Sequence, residues 1–151
     1  MFFSPIVTAI LLVAGLALMV GMSFQSVPSE AIHTFDAGSG GVRPNRMVKL
    51  ASAGTVVEAT AGGDPLLGVA LDYQKADRSA IAEGNRVDVA EDGVVEVEAG
   101  GSLSVNAEVT SDADGRATAA TSGDIVLGVA QNGTSGAGEL VAVKIDRYQK
   151  N

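Results

Sequence analysis

From Met47 onward the chain alternates apolar and polar residues in short runs closed by turn residues. The period of two is plainest in Arg86-Val87-Asp88-Val89-Ala90 and Val94-Val95-Glu96-Val97-Glu98, the signature of strands with one wet face. Asp92-Gly93 between them is a strong hairpin signal. The same reading predicts strands over Thr55–Ala59, Leu66–Leu71, Leu103–Val109, Arg116–Ala120, Ile125–Ala130 and Leu140–Ile145. No stretch after residue 30 has helical periodicity, although Ala76–Glu83 has room for one turn. Short strands spaced by roughly 8 to 12 residues imply an all-β fold, a small antiparallel β-barrel or sandwich.

One octapeptide occurs twice, as Gly63-Asp64-Pro65-Leu66-Leu67-Gly68-Val69-Ala70 and Gly123-Asp124-Ile125-Val126-Leu127-Gly128-Val129-Ala130, alike at six of eight positions. It reads as a polar turn entering a short apolar strand with a glycine inside, and a strand glycine marks a bulge or the close approach of another backbone. Upstream, Asn45–Gly54 aligns with Asn106–Gly115; downstream, Gly84–Val89 aligns with Gly138–Val143. The connection after the octapeptide takes up the length difference, 13 residues (Leu71–Glu83) against 7 (Gln131–Ala137), a change that loops absorb cheaply. The expectation is a β-domain over residues 47–151 built from two similar units, residues 45–89 and 106–143, joined by Ala90–Val105.

The amino-terminal part is different. Phe2–Phe24 is 23 residues without a charge, long enough as a helix to cross roughly 30 Å of hydrocarbon. Ser4-Pro5 suits a helix start, so residues 1–25 read as a hydrophobic helix. Its role stays open between a cleaved signal peptide, a membrane anchor and an apolar arm buried against partner proteins. The first lacks an early Lys or Arg and a clean small-x-small cleavage site. The second has a small-x-x-x-small packing face in Ala17 and Gly21. Residues 26–46, with Pro28, Pro44, Gly38, Gly40 and Gly41, read as a linker or extended arm.

Composition narrows the chemistry. The chain has no cysteine, which removes disulfides, thiol chemistry and cysteine-ligated metals. The formal net charge of -8, all of it beyond residue 29, argues against nucleic acid as a partner. The lone histidine, His33, sits in the linker and reads as a solvated side chain. Asp112-Ala113-Asp114-Gly115 opens like a calcium loop but lacks the later acidic ligands, and its aligned partner Ala51–Gly54 has no carboxylates, so it reads as a turn. The glycines at 38 to 41 make no phosphate loop, since no Gly-Lys-Ser/Thr follows. A swinging-arm carrier domain needs a lysine at its hairpin tip, where this chain has Glu91-Asp92-Gly93. No catalytic, cofactor-binding or metal residues are read, and no cofactor is expected.

Val48-Lys49-Leu50, Gly63–Ala70, Gly84–Val97, Asp112–Ala117, Gly128–Ala130 and Gly138–Ile145 together resemble the capsid decoration, or cement, proteins of tailed bacteriophages, over roughly residues 47–145. The resemblance implies a non-enzymatic virion protein that sits on the head shell, bridges major capsid subunits and forms homo-oligomers, often trimers. The apolar residues 2–24 depart from that pattern, and imply either contact with a viral or host membrane or packing within the shell as a minor capsid protein. The other reading is a membrane-anchored extracytoplasmic β-domain acting as an adaptor or binding module.

Overall fold

A computed structural model describes residues 25–72 and 77–151. The helix expected over residues 1–25, and any membrane role of residues 2–24, therefore lie outside the described residues apart from Gln25. Among those described, no helix is long and apolar enough to cross a membrane. A single 3-10 turn, Ser29–Ala31, precedes ten strands: β1 (Ile32–Ala37), β2 (Met47–Ser52), β3 (Thr55–Glu58), β4 (Gly68–Ala70), β5 (Arg86–Ala90), β6 (Val94–Glu98), β7 (Glu108–Ser111), β8 (Ala117–Ala119), β9 (Ile125–Ala130) and β10 (Leu140–Gln149). The described part of Ala76–Glu83 holds no helical turn; Ile81 instead bridges to Val42.

The first five strands close a barrel in the order β1-β3-β2-β4-β5, and the last five form a sheet in the order β6-β10-β9-β7-β8. Substituting β6 to β10 for β1 to β5 turns one order into the other, read in the opposite direction. Among the described residues, all ladders between these strands are antiparallel except one. β2 and β3 form a hairpin, so β3 runs in the direction of β1, and the rolled sheet joins these two in parallel at Asp36↔Thr55 and Ala37↔Val56. The matching closure between β6 and β8 is a single parallel bridge, Ala99↔Ala117.

Three expectations need correction. Residues 26–46 are not a plain linker, because Ile32–Ala37 is the first barrel strand, paired along its length with β5. Ala90–Val105 is likewise more than a connection, since it contains β6, the first strand of the second unit. Leu103–Val109 is not one strand either: Asn106 takes a left-handed backbone (φ 69°), so Leu103 makes an isolated bridge and β7 begins at Glu108.

The duplication extends to individual hydrogen bonds. The N–H of Asn45 donates to the carbonyl of Ala70, and that of Asn106 to Ala130, both at 2.8 Å. Gly84 donates to Ala37 at 2.8 Å and Gly138 to Ala99 at 2.9 Å. Asn45 shares the left-handed conformation of Asn106, with φ 62°, a conformation asparagine tolerates better than most residues.

Alternating inward residues fill both interiors. Val48, Val56, Ala70, Ile81, Val87 and Val89 belong to the core of the first barrel. Their counterparts Val109, Ala117, Ala130, Val141 and Val143 lie in a larger core, which also takes in Met47, Leu66, Val69, Leu71 and Ala90 from the first barrel. The second core is therefore continuous with the seam between the barrels. Burying large aliphatic side chains there stabilises each by about 1.5–3 kcal/mol and fuses the two units.

Candidate functional site

The polar chemistry of the described residues concentrates at that seam. The chain leaving the first barrel's loop at Pro44 turns through Asn45 and Arg46 into β2, and this turn wedges against the second unit. The N–H of Glu98 donates to the Asn45 carbonyl at 2.9 Å, and the N–H of Met47 donates to the Gly115 carbonyl at 2.8 Å. The Asn45 side-chain amide donates to the Glu96 carbonyl at 3.0 Å. Across the seam, the N–H of Ile125 donates to the Gly62 carbonyl at 2.7 Å, and Arg147 donates to the Leu66 carbonyl at 3.3 Å.

Arg46 is the centre of an ion-pair network. Its guanidinium donates to Glu98 at 2.6 Å and to the Asp114 carbonyl at 2.9 Å. Only 9% of its side chain and 15% of that of Glu98 are exposed. Arg78 reaches the other Glu98 oxygen at 3.5 Å. Arg43 pairs with Glu58 at 2.7 Å, and Arg116 pairs with Asp112 and Asp114 at 3.3 and 3.4 Å. Burial pulls the pKa of Arg46 below its usual value while neighbouring Glu98 pulls it up. The hydrogen bond from Arg43 to Glu58 raises that of Arg43. Both guanidiniums stay charged at any physiological pH. Arg46 Nε and Asn45 Oδ1 are buried without a hydrogen-bond partner. The network is a structural clamp, since each carboxylate in it faces an arginine.

The residues singled out in the sequence resolve as structural parts. One Asp112 oxygen accepts the N–H groups of Asp114 and Arg116, both at 2.9 Å, and the other pairs with Arg116, so the Asp-x-Asp-Gly segment is a self-satisfied turn. No group of three or more His, Cys, Asp or Glu side chains is placed to hold a metal among the described residues. His33 lies on β1, more than half exposed, with Nδ1 against a Glu91 carboxylate oxygen. Gly40 and Gly41 line an open cleft of about 390 Å³ with Ser39, Lys49, Val57, Glu58 and Thr60. Its charged groups are already paired, Lys49 with Asp64 at 3.0 Å and Glu58 with Arg43. The Arg46–Glu98 pair was not visible in the reading of the sequence. Its one signal is the repeat alignment, where Arg46 stands opposite Ala107.

Several carboxyls make turns and sit below their ordinary range. Burial pushes Asp64 up, but the Thr60 N–H and Lys49 outweigh it and hold its pKa down. The Gly93 N–H lowers Asp92, the Tyr148 hydroxyl lowers Glu108, and the Ser135 hydroxyl lowers Glu139. Its hydrogen bond to Glu108 raises Tyr148 to about 12. A carboxyl held lower in the fold than in the unfolded chain stabilises the fold above its unfolded value of about 4, and that contribution is lost as pH falls through the folded value. The midpoint of thermal unfolding, followed by circular dichroism, should therefore drop below about pH 4. A midpoint that rises toward acid would contradict these assignments.

Three comparisons with known proteins bear on this architecture. A family model described as XM1 gp53 minor capsid protein matches residues 22–145. Among solved structures, the crystal structure of the head fiber gp8.5 N base of bacteriophage phi29 superposes with a TM-score of 0.58 at 21% identity, over 80% of this chain and 97% of that one. That likeness shows a shared fold. A search of curated proteins gave no match.

Proposed function

The chain belongs to the XM1 gp53 minor capsid protein family, and on that premise we propose that it is a non-enzymatic decoration protein, binding the head shell and stabilising contacts between major capsid subunits. The observation that carries this reading is the extent of the family match, which spans both barrels and the arm that enters them. The physical design supports it. Two barrels locked by a common core and a buried ion-pair network form a rigid body, and a rigid body loses little conformational entropy on docking. Repeated over a shell, modest contacts add through multivalency. A protein of this kind needs stability and surface, and the ionisable groups described above serve turns and the seam.

The test is fractionation of virus particles. Particles banded by density should contain this chain in a fixed ratio to the major capsid protein, and particles lacking it should release their genome at lower temperature. Recovery of the chain only with cell membranes, and never with particles, would overturn the proposal in favour of a membrane-anchored adaptor.

A further inference from the structure

The seam inside the chain joins two different surfaces, a turn of the first barrel and a slot in the second. Because the barrels are duplicates, each surface exists a second time. The turn Pro44–Met47 has its twin in Val105–Glu108. The slot lies between β6 and the β7–β8 turn, at Glu96, Glu98 and Gly115. Its twin lies between β1 and the β2–β3 turn, at Thr34, Asp36 and Gly54.

The two copies of each surface are in opposite states. In the second barrel the slot is held open, since Glu98 N–H and the Gly115 carbonyl each bond to the inserted turn. In the first barrel the matching groups bond to each other, Asp36 N–H to the Gly54 carbonyl at 2.8 Å. This difference goes with the closure of each unit, a β1–β3 ladder at two positions in the first and the single Ala99–Ala117 bridge in the second. Asn45 in the inserted turn is fully buried, whereas Asn106 is exposed, its side chain makes no hydrogen bond among the described residues, and its backbone is held in the same left-handed conformation. Val105 beside it is 55% exposed, the most open of the three exposed large apolar side chains among the described residues. On β1, Thr34 stands opposite Asp88, whose carbonyl is taken by the Leu71 N–H. The Thr34 backbone therefore points away from β5, on the side where the β1–β3 ladder begins only at Asp36, and among the described residues it is an edge able to accept a partner.

We infer that the twin surfaces bind each other between two copies of this chain, the Val105–Glu108 turn of one docking between β1 and the β2–β3 turn of the next. The Asp36–Gly54 hydrogen bond is exchanged for Asp36 N–H to the Asn106 carbonyl and Glu108 N–H to the Gly54 carbonyl. The Asn106 side-chain amide donates to the Thr34 carbonyl, as Asn45 does to Glu96. The contact is heterologous, so it propagates head to tail and closes into a ring or extends according to its rotation. It repeats an interface that the chain already builds within itself, and it goes beyond the shell-binding reading without depending on it.

Two measurements on the full chain test this. Sedimentation should show wild-type protein associating with rising concentration, and Val105→Asp weakening that association by at least about tenfold with an unchanged circular dichroism spectrum. Asn106→Gly, which keeps the left-handed turn and removes only the amide, should weaken it in the same direction. The absence of native cysteine allows the second measurement. Thr34→Cys and Asn106→Cys chains mixed under mild oxidation should give a disulfide-linked dimer in clear excess over either variant alone. Wild-type protein that stays monomeric, association indifferent to Val105→Asp, or no excess of the mixed dimer would each overturn the inference.

Discussion

Replacing Gly128 with alanine should cost a large share of the stability of the domain, about 3 kcal/mol, the upper end of what overpacking usually costs, against a total of about 5–15. A Cβ built at this position lies 1.9 Å from the Lys144 carbonyl oxygen and 2.7 Å from its carbon. The obstacle is backbone, so no side-chain rotation relieves it. β9 pairs with both β7 and β10 at Gly128, through Val109 and Ile145, and any retreat from Lys144 breaks one ladder or the other. Gly68 is the twin, with a Cβ 2.1 Å from the Ala90 carbonyl oxygen, so Gly68→Ala should behave in the same way. Gly101→Ala is the control: nothing lies within 4 Å of its Cβ, and the change should stay within about 0.5 kcal/mol. Urea unfolding of the three variants measures this. A Gly128→Ala protein as stable as Gly101→Ala would mean that β9 does not approach β10 as described.

These two glycines were legible in the sequence because they sit inside the repeated octapeptide, where a glycine among Leu, Val and Ala has no propensity reason to be. Local chemistry of that kind accounts for most of what the residues revealed. Asn45 and Asn106, and Gly54 and Gly115, align in the sequence and adopt matching positive φ angles. The alternating valines of β5 and β6 put Val87, Val89, Val95 and Val97 inside, all fully buried. What escaped depends on partners far along the chain. β1 is six residues between a proline-led turn and a glycine run, and it becomes a strand only because β5, more than fifty positions later, offers it a ladder. Its parallel closure with β3 exists only once the sheet has rolled.

The seam escaped for the same reason. Arg46 looks like the polar end of a linker, and Glu98 like one solvated carboxylate among several that alternate with valines. Their meeting across 52 positions follows from how one duplicate docks on the other, and the pattern within either duplicate does not encode that. The repeat alignment carried a trace, because interior positions match in kind while Arg46 faces Ala107 and Met47 faces Glu108. Where two copies of a unit diverge from apolar to charged at aligned positions, one copy has acquired a neighbour that the other lacks.

Glu98→Ala should therefore destabilise the protein by about 3–5 kcal/mol, the usual result of stranding a buried charge. Arg46 would keep its bond to the Asp114 carbonyl and lose the one ion pair it makes among the described residues, where Nε already lacks a partner. Arg78, which shares Glu98 at 3.5 Å, is 39% exposed and returns to water at little cost. The exposed pair Arg86–Asp36, at 63% and 47% exposure, sets the scale: Arg86→Ala should change stability by no more than about 1 kcal/mol. The mechanism predicts a rescue as well. The double variant Arg46→Met with Glu98→Leu removes both charges, keeps apolar volume at the seam, and should recover most of the loss. If the double variant were as unstable as Glu98→Ala, the damage would come from lost packing instead. If Glu98→Ala unfolded at the wild-type urea concentration, the Arg46 charge would be solvated and the two barrels would be held by their apolar core alone.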